Sequence, residues 1–159
     1  MPKTKRFGLI GRDIDYSFSK DFFSTKFKKE NLESYENVNC DINKVEELNK
    51  IKIKDFSGFN VTIPYKEKII KFLDIIDENA KKIGAVNTIQ IKGGKLIGYN
   101  TDYIGFLKTI EDWDFTSAAI LGSGGASKAI AFALKSREIE YVVFSRKSDN
   151  NFLGYNEQK

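Results

Sequence analysis

The stretch Gly58-Phe59-Asn60-Val61-Thr62-Ile63-Pro64-Tyr65-Lys66 limits the fold of this chain more than any other segment. Apolar and polar residues alternate at its start, which is the pattern of a strand with one buried face, predicted here for residues 56–63. Pro64 cannot donate a ladder hydrogen bond, and its fixed φ suits the first turn of a helix. The helical spacing that follows predicts a helix that ends near Ile76. We therefore expect Lys66 at a strand–helix junction, where α/β folds often place their chemistry.

The composition excludes several classes of protein. The 159 residues are 41% hydrophobic and 30% charged, which is typical of a soluble globular protein. No apolar run approaches the ~20 residues of a membrane span, and the N-terminal apolar run is shorter than the roughly 7–15 residues of a secretory leader. We therefore expect a cytoplasmic protein that does not bind a membrane. The net charge of +4 is spread over mixed faces, as in Lys66-Glu67-Lys68, which is not the pattern of a nucleic-acid-binding surface.

The counts of cysteine and histidine restrict the chemistry. Cys40 is the single cysteine, so it cannot form an internal disulfide, and we expect it to be a buried structural thiol. The chain has no histidine, and we therefore predict no metal site. Acid–base chemistry near neutral pH must use Lys, Asp, Glu, Tyr, Cys or water.

The predicted elements follow an α/β order. A first strand is expected over residues 5–11, a helix over about 20–31 with Ser19 as its N-cap, and a hairpin of residues 86–99 that turns at Gly93-Gly94. The character of the sequence changes near residue 100. We therefore predict a mixed α/β domain over residues 1–100, followed over residues 101–159 by the beginning of a dinucleotide-binding domain.

A glycine-rich turn follows the short buried strand that ends at Leu121 and opens a helix. Gly122 permits the tight turn, Gly124 lets the backbone approach a pyrophosphate, and Ala126 is small enough for close packing of the helix on the strand. Ser123 and Gly125 complete the turn. Because a helix N-terminus offers N–H groups and positive potential to phosphates, this context favours nucleotide binding over a turn that serves packing alone.

An acidic residue for the ribose 2′-hydroxyl is missing from the place where an NAD-binding domain carries it. The next predicted strand, Tyr141–Phe144, ends in Ser145, Arg146 and Lys147. A 2′-phosphate requires cations, and a guanidinium can hold it with two hydrogen bonds. The sequence therefore predicts NADP rather than NAD, with a basic surface turn as the alternative.

Polar groups precede two further helices. Asp102 lies in the first turn of a predicted helix, where the helix dipole favours its ionised form, although a capping acid would be placed there too. Ser17 and Ser19 lie on one side of the chain before the first helix, which is the outline of an anion site or a simple cap.

Five motifs together resemble those of the shikimate dehydrogenase family, in the same order along the chain. They are Ser17-Phe18-Ser19, Asn60-Val61-Thr62-Ile63-Pro64-Tyr65-Lys66, Gly84-Ala85-Val86-Asn87-Thr88, Asn100-Thr101-Asp102 and Gly122-Ser123-Gly124-Gly125-Ala126. The resemblance implies a two-domain enzyme that reduces 3-dehydroshikimate to shikimate with NADPH, in which a substrate-binding domain precedes a Rossmann-like NADP-binding domain. The sequence departs from the family at Tyr16, Lys20, Ser145 and Lys147, where the family has His, Pro, Asn and Thr.

The resemblance also implies roles for individual residues. Lys66 and Asp102 would form the catalytic pair. Reduction of a ketone places a proton on oxygen, and in a chain without histidine Lys66 is the donor that Asp102 can orient. The substrate-binding residues would be Ser17 and Ser19 for the carboxylate, and Thr62, Asn87 and Asp102 for the ring. The cofactor-binding residues would be Gly122, Ser123, Gly124, Gly125, Ala126, Ser145, Arg146 and Lys147.

Two alternatives remain open at this stage. One is a quinate/shikimate dehydrogenase paralogue. The other is a non-catalytic fragment or binding module that keeps only the substrate site. A dinucleotide-binding domain normally contains two βαβαβ halves, whereas this sequence ends after strand, helix and strand. We therefore expect a C-terminally truncated chain from a longer enzyme, without dehydrogenase activity of its own. The sequence leaves the oligomeric state open.

Overall fold

The computed structural model describes residues 4–15, 17–145 and 153–154 of the chain. Within these ranges the backbone forms nine β-strands. In chain order they are β1 (Lys5–Gly11), β2 (Tyr35–Asp41), β3 (Gly58–Val61), β4 (Ile75–Ile76), β5 (Thr88–Lys92), β6 (Lys95–Tyr99), β7 (Ser117–Leu121), β8 (Glu140–Ser145) and β9 (Leu153–Gly154).

The strands form two sheets. The first has the order β2-β1-β3-β5-β6-β4, in which β2, β1 and β3 are parallel and β5 is antiparallel to both of its neighbours. The second is the parallel sheet β7-β8-β9. Because β1 lies between two strands parallel to it, the residues that follow β1, β2 and β3 lie close together at the carboxyl ends of these strands.

Seven helical segments connect the strands in the described part of the chain. The α-helices are α1 (Phe18–Lys29), α2 (Glu78–Ile83), α3 (Asp102–Thr109) and α4 (Gly125–Ser136), and the 3₁₀ helices are Val45–Lys50, Ile53–Asp55 and Lys68–Phe72. The order β7, glycine-rich turn, α4 and parallel β8 is the one that the sequence predicted. The predicted α/β class is therefore confirmed.

None of the helices in the described ranges combines the length and the apolar character needed to cross a membrane.

Three apolar clusters pack the elements together. The largest lies on the first sheet and includes Ile10 and Ile69, both fully buried, each of which contributes about 1.5–3 kcal/mol relative to an exposed side chain. The second packs α4 against the second sheet. The third joins the two parts of the chain, because Ile83 and Ala85 contact Ala129 of α4. The boundary expected at residue 100 stays a prediction, and apolar contacts cross it.

The helix expected between Pro64 and Ile76 is wrong. A run of turns leads from Pro64, whose peptide bond with Ile63 is cis, into the 3₁₀ helix Lys68–Phe72, and the chain then extends as β4. The tertiary pairing explains the difference: Asp74 N–H donates to Leu96 C=O at 3.0 Å, and Leu96 N–H donates to the Asp74 carboxylate at 2.7 Å. The β-branched residues of β4 then pair with β6, so contacts distant in sequence override the helical spacing.

The first helix begins earlier than expected, and Ser19 is not its N-cap. Ser17 takes that position with extended dihedral angles of −66° and 120°, and its Oγ accepts a hydrogen bond from Ser19 N–H at 3.3 Å. The physical reason is that a cap must be non-helical while its oxygen reaches a later N–H group, and Ser19 is already inside the helix. The strand over residues 5–11 and the hairpin through Gly93-Gly94 are confirmed.

A buried tyrosine fixes the turn that carries Lys66. Tyr65 is 2% exposed, and its hydroxyl donates a 2.6 Å hydrogen bond to the carbonyl oxygen of Ile42. Burial raises the pKa of the Tyr65 phenol above its ordinary value of 10.0. The central motif is therefore attached to the segment that follows β2.

We expect Tyr65→Phe to lower the free energy of unfolding by about 1–3 kcal/mol, because the carbonyl of Ile42 loses its donor in a buried site. Tyr99→Phe is the matched control, since the Tyr99 hydroxyl makes only an exposed 3.3 Å hydrogen bond to Gln90. The control should cost less than about 0.5 kcal/mol. Urea unfolding at neutral pH measures both losses, and equal losses would contradict the role of the buried hydroxyl.

The stabilising effect of Tyr65 should also decrease at alkaline pH. The unfolded chain releases the phenolic proton near pH 10, whereas the folded protein keeps it to higher pH, so the unfolded state is favoured as the pH rises. The difference in unfolding free energy between the protein and Tyr65→Phe should therefore narrow between about pH 9 and about pH 11. A constant difference would contradict the raised pKa.

Candidate active site

An ion pair joins the two residues that the sequence predicted to be catalytic. Lys66 Nζ donates a 2.7 Å hydrogen bond to Asp102 Oδ2, with side chains that are 17% and 29% exposed. Lys66 lies in the turns after β3, and Asp102 is the first residue of α3. Both charges are therefore largely removed from water but remain reachable from one side. Such a pair can hold a protonated amine in a fixed direction.

Asn87 fixes the other carboxylate oxygen of Asp102. Its Nδ2 donates to Asp102 Oδ1 at 2.8 Å and to Thr101 Oγ1 at 2.9 Å, and its Oδ1 accepts from Thr101 N–H at 2.8 Å. The hydroxyl of Thr88 lies 3.2 Å from the same Oδ1. Both amide hydrogens of Asn87 are thus used within the protein. Asn87 and Asp102, two predicted substrate residues, form one network with Lys66.

Asn100 supports this network, and the sequence analysis named it only as part of the Asn100-Thr101-Asp102 motif. It is 2% exposed, its Oδ1 accepts from the N–H groups of Asp102 and Tyr103 at 3.0 and 3.4 Å, and its Nδ2 donates to Ala85 C=O at 2.9 Å. Thr101, the N-cap residue of α3 by position, makes no side-chain cap bond. A buried amide with three satisfied bonds therefore holds Asp102 against the segment before β5.

The start of the loop that leads from β1 to Ser17 and Ser19 lies beside the central motif. A Cβ on Gly11 would lie 2.6 Å from Thr62 Cγ2, so only glycine permits this approach of β1 to the end of β3. The Arg12 N–H donates to Ile63 C=O at 3.2 Å. The first part of the loop that leads to Ser17 thus lies against Thr62 and Ile63. The hydroxyls of Ser19 and Thr62 make no hydrogen bond to another described residue.

The predicted phosphate-binding turn has an open helix N-terminus. Gly122 has a φ of 121°, which a side chain would oppose, and its N–H donates to Phe144 C=O at 2.8 Å. Gly124 is the N-cap of α4, no side chain caps the first turn, and a Cβ added there would meet no atom within 4 Å. Free N–H groups beside open space fit a phosphate. Ala126 follows as the second residue of α4.

The predicted cofactor residues after β8 fall in different parts of the structure. Ser145 is 7% exposed, and its hydroxyl lies 3.0 Å from that of Ser123, so the ends of β7 and β8 are joined. Arg146 and Lys147 lie outside the described residues.

The glycine-rich turn contacts Lys66, the lysine predicted to be catalytic. A Cβ on Gly125 would lie 2.8 Å from Lys66 Cβ and 3.2 Å from Ala85 Cβ, so the first residue of α4 has no room for a side chain. One turn further, Lys128 Nζ forms a 2.5 Å ion pair with Glu67 Oε2. The structure therefore places the start of α4, in the predicted phosphate-binding turn, against the side-chain stem of Lys66. Ser17 and Ser19, in contrast, make no hydrogen bond with the lysine network in the described ranges.

The described side chains include no group of three or more His, Cys, Asp or Glu that could hold a metal ion. The chemical groups that the site offers are an amine, a carboxylate, amides and hydroxyls. They suit proton transfer and hydrogen bonding to an oxygen-rich ligand.

We expect Gly125→Ala to destabilise the protein by about 1–3 kcal/mol, because the new methyl group must displace either α4 or the backbone at Lys66. Gly105→Ala in α3 is the matched control, since a Cβ there would meet no atom within 4 Å. The control should be neutral or stabilise α3 by up to about 1 kcal/mol. Thermal unfolding of both variants measures this, and a neutral Gly125→Ala would show that the two parts separate freely.

The family model for the shikimate dehydrogenase substrate binding domain matches residues 9–89, which is half of the chain. The shikimate dehydrogenase (NADP(+)) of Staphylococcus epidermidis is 48% identical over 132 residues, which cover 79% of this chain and 49% of that protein.

Two solved structures have a fold similar to that of this chain. Shikimate dehydrogenase 1 from Peptoclostridium difficile superposes with a TM-score of 0.85 at 40% identity, over 96% of this chain and 61% of that one. Shikimate 5-dehydrogenase from Thermus thermophilus, solved in complex with NADP(H) and shikimate, gives 0.77 at 33% identity, over 90% of this chain and 56% of that one. The chain spans about half the length of the curated relatives that it matches. By its sequence and its fold, the chain belongs to the shikimate dehydrogenase family.

Proposed function

We propose that this chain provides the substrate site, the proton donor and the phosphate-binding turn of an enzyme that reversibly reduces 3-dehydroshikimate to shikimate with NADPH. The observation that carries the proposal is the contact of the Lys66–Asp102 pair with the start of α4 at Gly125. It brings an acid–base pair and a phosphate-binding helix start to one place. The name of the Staphylococcus epidermidis relative and the ligands of the Thermus thermophilus structure support the same function. A cytoplasmic location remains part of the proposal, supported by the single cysteine.

The substrate carboxylate is bound at the start of α1. The Ser17 hydroxyl accepts the Ser19 N–H as a cap but retains its own proton to donate, and the Ser19 hydroxyl is unused by the described residues. Thr62 offers a hydroxyl to the ring on the side of the same loop. Asn87 has both of its amide hydrogens committed to Thr101 and Asp102, so it acts on the ring largely through the carboxylate that it holds.

Reduction of the ketone requires a hydride at carbon and a proton at oxygen. NADPH supplies the hydride when it is bound. Lys66 Nζ donates the proton to the carbonyl oxygen, and it accepts a proton from the hydroxyl in the reverse direction. Asp102 aims the amine, Asn87 keeps the carboxylate from rotating away, and Asn100 holds the backbone N–H of Asp102.

NADP is held by the turn between β7 and α4. The open first turn of α4 binds the pyrophosphate through its N–H groups, and Ser123 and Ser145 keep the ends of β7 and β8 together beside it. Arg146 and Lys147 follow β8 directly in sequence and supply the charge for the 2′-phosphate. The absence of a carboxylate at this point supports the preference for NADP.

The proposal is tested in a protein completed with the C-terminal half of the Staphylococcus epidermidis relative. We expect it to reduce NADP with shikimate, and Lys66→Ala to lower kcat by on the order of 10²–10⁴ with little change in shikimate binding. Lys95→Ala, at the exposed start of β6, is the control and should leave kcat unchanged.

Two results would contradict these expectations. Near wild-type turnover of Lys66→Ala would remove the lysine from the mechanism. A higher kcat/KM for quinate than for shikimate would assign the chain to the quinate/shikimate dehydrogenase alternative.

Arg146→Ala should raise the KM for NADP about 10- to 100-fold, because it removes charge-assisted hydrogen bonds to the 2′-phosphate. NAD lacks this phosphate, so its KM serves as the internal control and should hardly change. Steady-state kinetics with both cofactors in the completed protein measures the difference. If both KM values rise alike, Arg146 has a structural role and the assignment of NADP loses its main support.

A further inference from the structure

One carboxylate at the edge of the first sheet holds the loop that leads to the serine pair. Asp41, the last residue of β2, accepts hydrogen bonds from two consecutive backbone N–H groups of that loop. Asp13 N–H donates to Oδ1 at 3.0 Å, and Ile14 N–H donates to Oδ2 at 3.1 Å. Asp41 therefore uses both oxygens on a loop that lies distant from it in sequence.

The same loop segment is connected directly to Ser17. Ile14 is 2% exposed, and its carbonyl oxygen accepts from Ser17 N–H at 2.9 Å and from Asn39 Nδ2 at 3.2 Å. Asn39 and Asp41 lie on the same face of β2, because they are two residues apart along the strand. A chain of three hydrogen bonds thus connects β2, Ile14 and the N-cap of α1.

The loop needs this support because its backbone is not in a relaxed conformation. Asp13 has a φ of 55°, in the left-handed region where a residue with a side chain is disfavoured. Fixing loop residues also costs conformational entropy, on the order of 1–2 kcal/mol for each residue. Two charge-assisted hydrogen bonds to Asp41 offset part of this cost before any ligand binds.

We propose that Asp41 is a positioning residue for carboxylate recognition: by holding Asp13 and Ile14, it places the hydroxyls of Ser17 and Ser19 for an anionic ligand. This inference rests on the proposed function of the serine pair. Asp41 does not touch the ligand, and its own charge is matched by two N–H groups. Its removal should therefore affect the carboxylate of the ligand more than the ring.

The test compares shikimate with its methyl ester, which keeps the ring and its hydroxyls but has no charge on the carboxyl group. NMR titration of the 159-residue protein gives the two dissociation constants. We expect the unmodified protein to prefer shikimate, because hydrogen bonds to a charged acceptor are the stronger ones. In Asp41→Asn the affinity for shikimate should fall about tenfold while that for the ester changes much less, so the preference shrinks.

Asp74→Asn is the matched control. The Asp74 carboxylate also accepts a backbone N–H, that of Leu96 at 2.7 Å, but it lies beside β4 at the opposite edge of the same sheet. This variant should leave the ratio of the two dissociation constants unchanged. Asn39→Ala removes another contact between β2 and the same loop, and its result does not depend on whether Asp41→Asn folds. It should reduce the preference for shikimate as well.

The possible results distinguish the positioning role of Asp41 from the proposed recognition of the carboxylate by Ser17 and Ser19. If Asp41→Asn and Asn39→Ala weaken both ligands by the same factor, or weaken neither, the positioning role is wrong while the serine site stands. If the unmodified protein binds shikimate no better than its methyl ester, carboxylate recognition by the serine pair is wrong, and the role of Asp41 fails with it.

Discussion

The ion pair between Lys66 and Asp102 is the interaction on which the arrangement of this site depends. Removing two charges from water is costly, and their attraction offsets the cost only if the geometry is fixed and the remaining polar atoms are satisfied. Asn87 satisfies the second oxygen of Asp102, and the N–H of Val86 donates to the carbonyl of Lys66 at 2.7 Å. The network is thus a set of hydrogen bonds that all require the same relative placement of the β3 turn, the start of β5 and the start of α3.

The placement of the second sheet follows from steric contact rather than from charge. The Glu67–Lys128 pair is about 40% exposed on both sides, and exposed pairs of this kind contribute at most about 1 kcal/mol. The tight fit of Gly125 against Lys66, together with the apolar contact of Ala85 with Ala129, restricts α4 much more strongly. A shift of α4 would therefore displace Lys66. In the proposed function, this contact lies between the site for the cofactor phosphate and the proton donor.

Patterns that depend on neighbouring residues could be predicted from the sequence, and those that depend on distant partners could not. The strand at β3, the glycine-rich turn and the pairing of Lys66 with Asp102 follow from local motifs and from the family that they resemble. The stretch after Pro64 has the spacing of a helix, yet Asp74 binds Leu96 and converts its end into a strand. The shift of the cap from Ser19 to Ser17 has a similar origin, because Ser17 is fixed by Ile14, and Ile14 by β2.

The contacts of Asp41 could not be predicted from a sequence motif, because its partners are backbone N–H groups, which every residue except proline has. Its position nevertheless has a structural logic. Since β1, β2 and β3 are parallel, their carboxyl ends lie side by side, and the last side chain of β2 can reach the loop that follows β1. A loop that carries ligand-binding hydroxyls must be held more firmly than its own sequence can hold it, and a strand end is the nearest rigid support. The specificity of such a site is then shared between the residues that touch the ligand and the carboxylate that holds them in place.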